Sequence, residues 1–313
     1  MNYDTVIDTV RLQSDFNTAL QQREVLDALI SILAASGILY IQQKNYPTNA
    51  YSHFFKRDYF IYSHSTTIAT ITTGSFSERI NGLAGYTQKY YISVKLAGLF
   101  RYDEKVDFIS HYCLLKICAF FNTRNIAFKL SELDVCVDAE CTFHHLLALC
   151  VKKSPKTDYY RPSDMQAYTN TTYIEKIPSK NLEKAVLRAY TYDKSLKERL
   201  SRHITRFELK LQPKYFHKYN FDIASIEKAL SRYYVMYFKN SYEKTRTIET
   251  YEKYKLFRKR EIDRLNLEKY RLHPDITKIK SFLEQLLSIN DFDVWFMYEL
   301  SMQNIHNTGG NTF

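Results

Sequence analysis

The stretch LDVCVD at 133–138 alternates apolar and polar residues with a period of two. Successive side chains of an extended strand point to opposite faces, so Asp134, Cys136 and Asp138 share one face and Leu133, Val135 and Val137 the other. Two later stretches read the same way. ITRFELKL at 204–211 sets Arg206, Glu208 and Lys210 against Phe207, Leu209 and Leu211. RAYTYDK at 188–194 puts Arg188, Tyr190, Tyr192 and Lys194 on one face. If the three strands are neighbours with their apolar faces on a core, one surface collects carboxylates, cations and phenols. A half-exposed antiparallel sheet also carries polar residues at alternate positions with no such role. Asp is depleted in strands, however, and two of them at i and i+4 in one short strand point to cation binding.

Outward from these strands, TVIDTVRL at 5–12 also alternates, and residues 18–36 carry apolar side chains at helical spacing with Gly37 as a stop. Strand-like runs rich in β-branched and aromatic residues follow at 38–43, 59–73 and 88–100, and residues 103–121 return to helical periodicity. NIAFKLSELDVCVDAE reads as strands, TFHHLLALCVKK at 142–153 as a helix, and TNTTYIEKI at 169–177 as a strand. From about residue 222 the pattern is helical, without a strand-like run. Blocks of strands and helices joined by short connections predict an α+β chain: a largely antiparallel sheet domain with flanking helices over 1–215, then a helical region over 216–313.

The bulk numbers fit a folded chain. Of 313 residues, 45% are hydrophobic and 25% charged. Tyrosine and phenylalanine are abundant, 27 and 20 against one Trp, as coding by an AT-rich genome would in part produce. Lys and Arg outnumber Asp and Glu by 44 to 34, a net charge of +10. Such an excess favours polyanionic partners without requiring one. The five cysteines include no CxxC pair, and Cys113 and Cys118 sit in an apolar helical run, the pattern of buried thiols in a reducing compartment. The sequence shows no signal-peptide pattern and no apolar run of about 18 residues, so a cytoplasmic protein with no membrane partner is expected.

The order LDVCVD, then AYTYDKS, then RFELKL resembles the plasmid rolling-circle replication initiators of the replication initiation factor family, to which relaxases of conjugative elements are related. The resemblance covers about residues 130–212. Its members show an aspartate-bearing strand, a strand ending Tyr-Asn/Asp-Lys, and a strand of the form Arg-hydrophobe-Glu-hydrophobe. TTYIEK at 171–176 stands where the family has a short strand beginning with Tyr. Glu132 replaces an Arg that is common before Leu-Asp, and Glu175 lies near a common Gly. The resemblance implies a DNA nickase. Tyr192 attacks one strand at an origin, keeps the 5′ phosphate as a phosphotyrosine, releases a 3′-OH primer, and later rejoins the strand.

On that reading the sheet domain is the nicking domain, and its partners are double-stranded origin DNA and the single-stranded nick site. A host helicase and a second copy in a homodimer are further expected partners. A phenol of ordinary pKa is only about one part in a thousand ionised at neutral pH, so it needs activation. Lys194 is expected to stabilise the phenolate, with Arg206 beside it. Asp134, Asp138 and Glu208 are expected to hold Mg²⁺ or Mn²⁺ on the scissile phosphate, an all-oxygen set suited to those ions. No H-x-H motif occurs among the nine histidines, and His144 and His145 read as ordinary helix residues. Tyr190 is the rival nucleophile, and Asp8 a weaker candidate ligand. Arg188 and Lys210 are expected to contact DNA. Two other readings stand beside this one: a non-catalytic origin-binding replication protein, and a tyrosine recombinase, which needs no metal.

From Lys239 to Arg271 the chain holds eleven Lys and Arg against six acids, interleaved with Tyr242, Tyr251, Tyr254, Phe257 and Tyr270. Lys253, Lys255, Arg258, Lys259, Arg260 and Arg264 would track phosphates while the aromatics stack on unpaired bases. A solvated helix with i,i+4 pairs such as Glu249–Lys253 fits the same residues. YYRPSD at 159–164 is a further candidate DNA loop. Neutralising Arg258, Lys259 and Arg260 together should flatten the log–log salt dependence of duplex binding by about one unit per lost phosphate contact. An unchanged slope in a salt titration would assign this run to the solvated helix.

Overall fold

A computed structural model of the chain describes residues 1–45, 56–79, 85–100, 104–151, 171–174, 186–218, 223–254, 259–290 and 293. The first half contains β1 (Tyr3–Phe16), α1 (Ala19–Ala34), β2 (Tyr40–Asn45), β3 (Lys56–Ser63), β4 (Thr66–Arg79), β5 (Tyr86–Ala97), α2 (Glu104–Thr123) and β6 (Lys129–Ala139). There follow β7 (Leu146–Cys150), β8 (Thr171–Tyr173), β9 (Leu187–Asp193), α3 (Lys194–Glu198), β10 (Thr205–Leu211) and α4 (Pro213–Lys218). The remainder is α5 (Ile223–Leu230), β11 (Tyr233–Tyr237), α6 (Ser241–Tyr254), α7 (Lys259–Arg264), β12 (Arg271–Leu272) and α8 (Ile276–Ser288). The class is α+β, built on a large antiparallel sheet with flanking helices. No helix among the described residues is long and apolar enough to cross a membrane.

The chain forms two compact units, Met1–Asp8 with Glu132–Lys280, and Thr9–Ser131 with Ser281–Phe313. The division near Tyr215 read from the sequence falls inside the first unit. In that unit the strand order is β1-β6-β10-β9-β8. β10 pairs antiparallel with β6 on one side and β9 on the other. The three strands quoted at the outset are therefore neighbours. Their apolar faces coincide: Phe207 lies between Val137 and Thr191, and Leu209 between Val135 and Ala189. Position by position from Leu130 to Ala139, β6 is buried on both faces, so its polar side is not the solvated face that alternation alone implies.

A second sheet of the first unit, ordered β12-β11-β7, corrects two sequence expectations. LLALC, read as part of a helix with His144 and His145, is strand β7 and pairs with YYVMY of β11. Every residue of LLALC is buried, and a short continuous apolar run carries no period that separates strand from helix. The segment after residue 222 is correspondingly not all helical. YYVMY is made of aromatic and β-branched strand formers, with Met236 fully buried. The Phe207 and Tyr233 rings meet at 5.8 Å, joining the apolar face of β10 to β11.

The second unit is a β2-β3-β4-β5-β1 meander with α1 and α2 packed together. Thr18 caps α1 by accepting from Gln21 N at 3.2 Å, and Leu26, Leu29 and Leu33, at helical spacing, form its buried stripe. In α2 the buried residues include Leu114, Ile117, Phe120 and Phe121. All five cysteines are buried, and none of them forms a disulfide.

Phe207 is 1% exposed at the junction of the two sheets of the first unit. Phe207→Ala should lower stability by about 3–5 kcal/mol, read from urea denaturation. A loss below 1 kcal/mol would show that the junction does not form as described.

Candidate active site

The register of β6, β10 and β9 puts the polar residues in rows. Arg206 stands opposite Asp138 and Tyr192, Glu208 opposite Cys136 and Tyr190, and Lys210 opposite Asp134 and Arg188. The expected convergence of these side chains is thus present, but they are turned into the protein. Asp134 and Arg206 are completely buried, and Tyr192, Glu208 and Asp138 nearly so.

Two ion clusters result. Arg206 clamps Asp138 with Nε to Oδ1 at 2.5 Å and Nη2 to Oδ2 at 2.7 Å, and its Nη1 donates to Asp8 Oδ1 at 2.6 Å. Burial raises the Asp8 carboxyl pKa, but Arg206 and Lys194 outweigh it and hold the group below its ordinary value. In the other cluster Lys210 Nζ bridges Asp134 Oδ2 at 2.5 Å and Glu208 Oε1 at 3.0 Å. Burial, with Glu208 nearby, pushes Asp134 up to about 7 against the pull of the Lys210 ammonium. Asp134 Oδ1 is buried without a hydrogen-bond partner among the described residues.

The two tyrosines share Glu208. Tyr192 donates to Oε2 at 3.1 Å, Tyr190 donates to Oε1, and the two rings stack at 5.8 Å between centroids. Burial first, and the Glu208 carboxylate second, raise both phenols above their ordinary value. Both therefore rest protonated, with a carboxylate placed to receive the proton.

Lys194 departs from its expected place. β9 ends at Asp193, whose side chain caps α3 by accepting from Leu196 N at 3.0 Å, so Lys194 begins a helix and does not continue the strand face. Its ammonium pairs with Glu198 at 2.8 Å and lies 4.0 Å from Asp8. Lys197, which the strand pattern did not single out, sits over the Tyr192 ring with Nζ 4.8 Å from the centroid, and it is exposed. The local signal was Asp193 as a helix cap, since a turn of helix after it carries Lys197 back over the strand end. Arg206 holds the site together through carboxylates, with each of its three nitrogens donating to one. Lys210 and Arg188, directly opposite one another, lie at the more open end, and Arg188 Nε has no hydrogen-bond partner among the described residues.

The metal set expected from the sequence does not fit one ion in this arrangement. Asp134 and Asp138 are four residues apart on one strand, about 13 Å along it, and different cations hold them. Of the expected DNA-contacting residues, Arg264 is exposed at the end of α7. Lys255 and Arg258 lie outside the described residues, as do Tyr159–Asp164 and Glu175, and so do the side chains of Lys253, Lys259 and Arg260.

The Asp134 environment generates a pH test. A carboxyl with a raised folded-state pKa contributes stability that is present below its unfolded value of 3.8 and lost as pH rises through about 7. Between pH 5 and 8, wild type should lose stability relative to Asp134→Asn in urea denaturation. Parallel pH profiles would rule out Asp134 as the titrating group.

No protein-family model matches the chain, and no curated protein matches it. Among solved structures it is similar to the apo immunity protein TplEi of the T6SS from Pseudomonas aeruginosa, at 8% identity over 72% of this chain and 88% of that one. At a TM-score of 0.14 this likeness carries no argument about fold or function.

Proposed function

We propose that the protein nicks and rejoins one strand of DNA through Tyr192. The observation that carries this reading is the register that sets the Tyr192 phenol 3.1 Å from Glu208 Oε2, with the exposed Lys197 ammonium over its ring. A protonated phenol is a poor nucleophile, and a carboxylate within hydrogen-bond reach is the general base it needs. As the Tyr192 Oη–P bond forms, the phenol proton moves to Glu208 and the P–O3′ bond breaks. The 3′ oxygen leaves and takes a proton from water. The reverse sequence rejoins the strand, because the phosphotyrosine retains the ester energy. Lys197, Lys210 and Arg188 are the cations available to an entering phosphate, and Arg206 is a positioning residue. Since the three carboxylates do not converge on one ion, no step is assigned to a metal.

Asp134, Asp138 and Glu208 are each paired inside the protein, and Tyr192 is only 3% exposed. Those facts favour a second reading, an origin-binding protein in which the network is a structural polar layer.

Incubation with supercoiled origin plasmid, with and without Mg²⁺, separates the two. The nicking reading expects open circles with protein attached, lost in Tyr192→Phe and reduced at least a hundredfold in Glu208→Gln, while Tyr190→Phe still nicks. Plasmid binding without covalent attachment in the wild type would decide for the structural layer. Nicking that survives Tyr192→Phe but not Tyr190→Phe would move the nucleophile to Tyr190.

A further inference from the structure

The second unit contains a cleft of about 580 Å³ between the first turns of α1 and the sheet beneath it. The register explains its lining. Ile71 and Ile92 share a sheet face and are fully buried in the unit's core. Toward one end of that face the residues become polar: Arg57 opposite Thr73, Ser75 opposite Tyr90, and Tyr59 opposite Gln43. Arg23 of α1 lines the same cleft.

The cleft wall is anchored. The Gln22 amide donates to Gly74 O at 2.9 Å and to Tyr91 O at 2.6 Å, pinning the first turn of α1 to both β4 and β5. A Cβ at Gly74 would meet the Tyr91 ring at 2.6–2.7 Å, so only glycine lets that ring lie against the backbone there. Arg23 pairs with Asp27 at 3.7 Å, but both side chains are largely exposed, and a pair of that kind is too weak to hold the guanidinium away from a better anion.

Two guanidiniums against the single carboxylate of Asp27, with two phenol rings, two amides and two hydroxyls, leave the cleft net positive and select a ligand with an anionic end and a planar polar body. Guanidinium matches phosphate through paired N–H donors, and tyrosine rings accept a base edge or face. The volume is in the range of small-molecule sites. We propose that this cleft binds a nucleoside phosphate, either as a free nucleotide or as one unit of single-stranded DNA, with Arg57 and Arg23 on the phosphate and Tyr59 and Tyr90 beside the base. None of these residues belongs to the Tyr192 network, so this inference and the nicking reading stand or fall separately.

Binding of three probes to the full chain tests it: AMP and inorganic phosphate by calorimetry, and a fluorescent (dT)12 by anisotropy. AMP or (dT)12 should bind at least tenfold more tightly than phosphate alone. Arg57→Gln should weaken that binding at least tenfold, and Ala19→Trp should do the same by filling the cleft without removing charge. Tyr90→Ala should weaken the base-bearing probes and leave phosphate unchanged. Wild-type thermal melting of the variants excludes unfolding as the cause, and should Arg57→Gln melt early, Arg57→Lys, which keeps the charge but loses the paired N–H donors, should still weaken binding of AMP or (dT)12. Preference for AMP over (dT)12 identifies a free-nucleotide site, and the converse a strand site. Failure of both AMP and (dT)12 to bind more tightly than phosphate, absence of binding, or binding untouched by both Arg57→Gln and Ala19→Trp would overturn the proposal.

Discussion

The buried guanidinium of Arg206 is the constraint on which the first unit depends. It has no exposed surface, and its donors are fixed by Asp138 on β6 and Asp8 on β1. A charge so placed is tolerated only with full pairing, because desolvation costs several kcal/mol per ion and loss of one partner leaves the other unmatched. The guanidinium therefore accepts one alignment of β1, β6 and β10, and a slip by one residue would carry it to the apolar face. That alignment, in turn, sets Glu208 beside Tyr190 and Tyr192 on β9.

The chemistry of the Tyr192 site follows from burial more than from any single residue. In water a nearby carboxylate has little effect on a phenol. In this interior the same contact raises both phenols and leaves the proton on oxygen until something draws it away. The Lys210 ammonium, shared by Asp134 and Glu208, keeps two buried carboxylates from repelling one another across the strands. The positive charges of Lys197 and Arg188 lie at the periphery of this network.

Much of this was legible in the chain. Period-two alternation in LDVCVD, RAYTYDK and ITRFELKL assigned the residues to faces, because the pleat leaves side chains no choice of side. The helix over 18–36 and the helical run over 103–121 were equally plain, since apolar residues three and four apart can be buried together only on a helix. The two errors had a common cause. LLALC and YYVMY are too short for a period to show, and their strand state comes from pairing with each other across more than eighty residues of sequence.

What the sequence by itself determined was therefore local: which side chains within each of the three strands share a face, where the two long helices of the second unit lie, and that the class is α+β. The tertiary structure decided which faces are covered. It turned a row of acids that looked like an open cation site into two closed ion clusters, because a strand's polar face is wet or dry according to what packs on it. It placed Asp8 and Lys197, distant in the sequence pattern from the three strands' polar row, against Arg206 and Tyr192. It also separated Asp134 from Asp138. The i, i+4 spacing that brings two carboxylates together on a helix holds them about 13 Å apart on a strand.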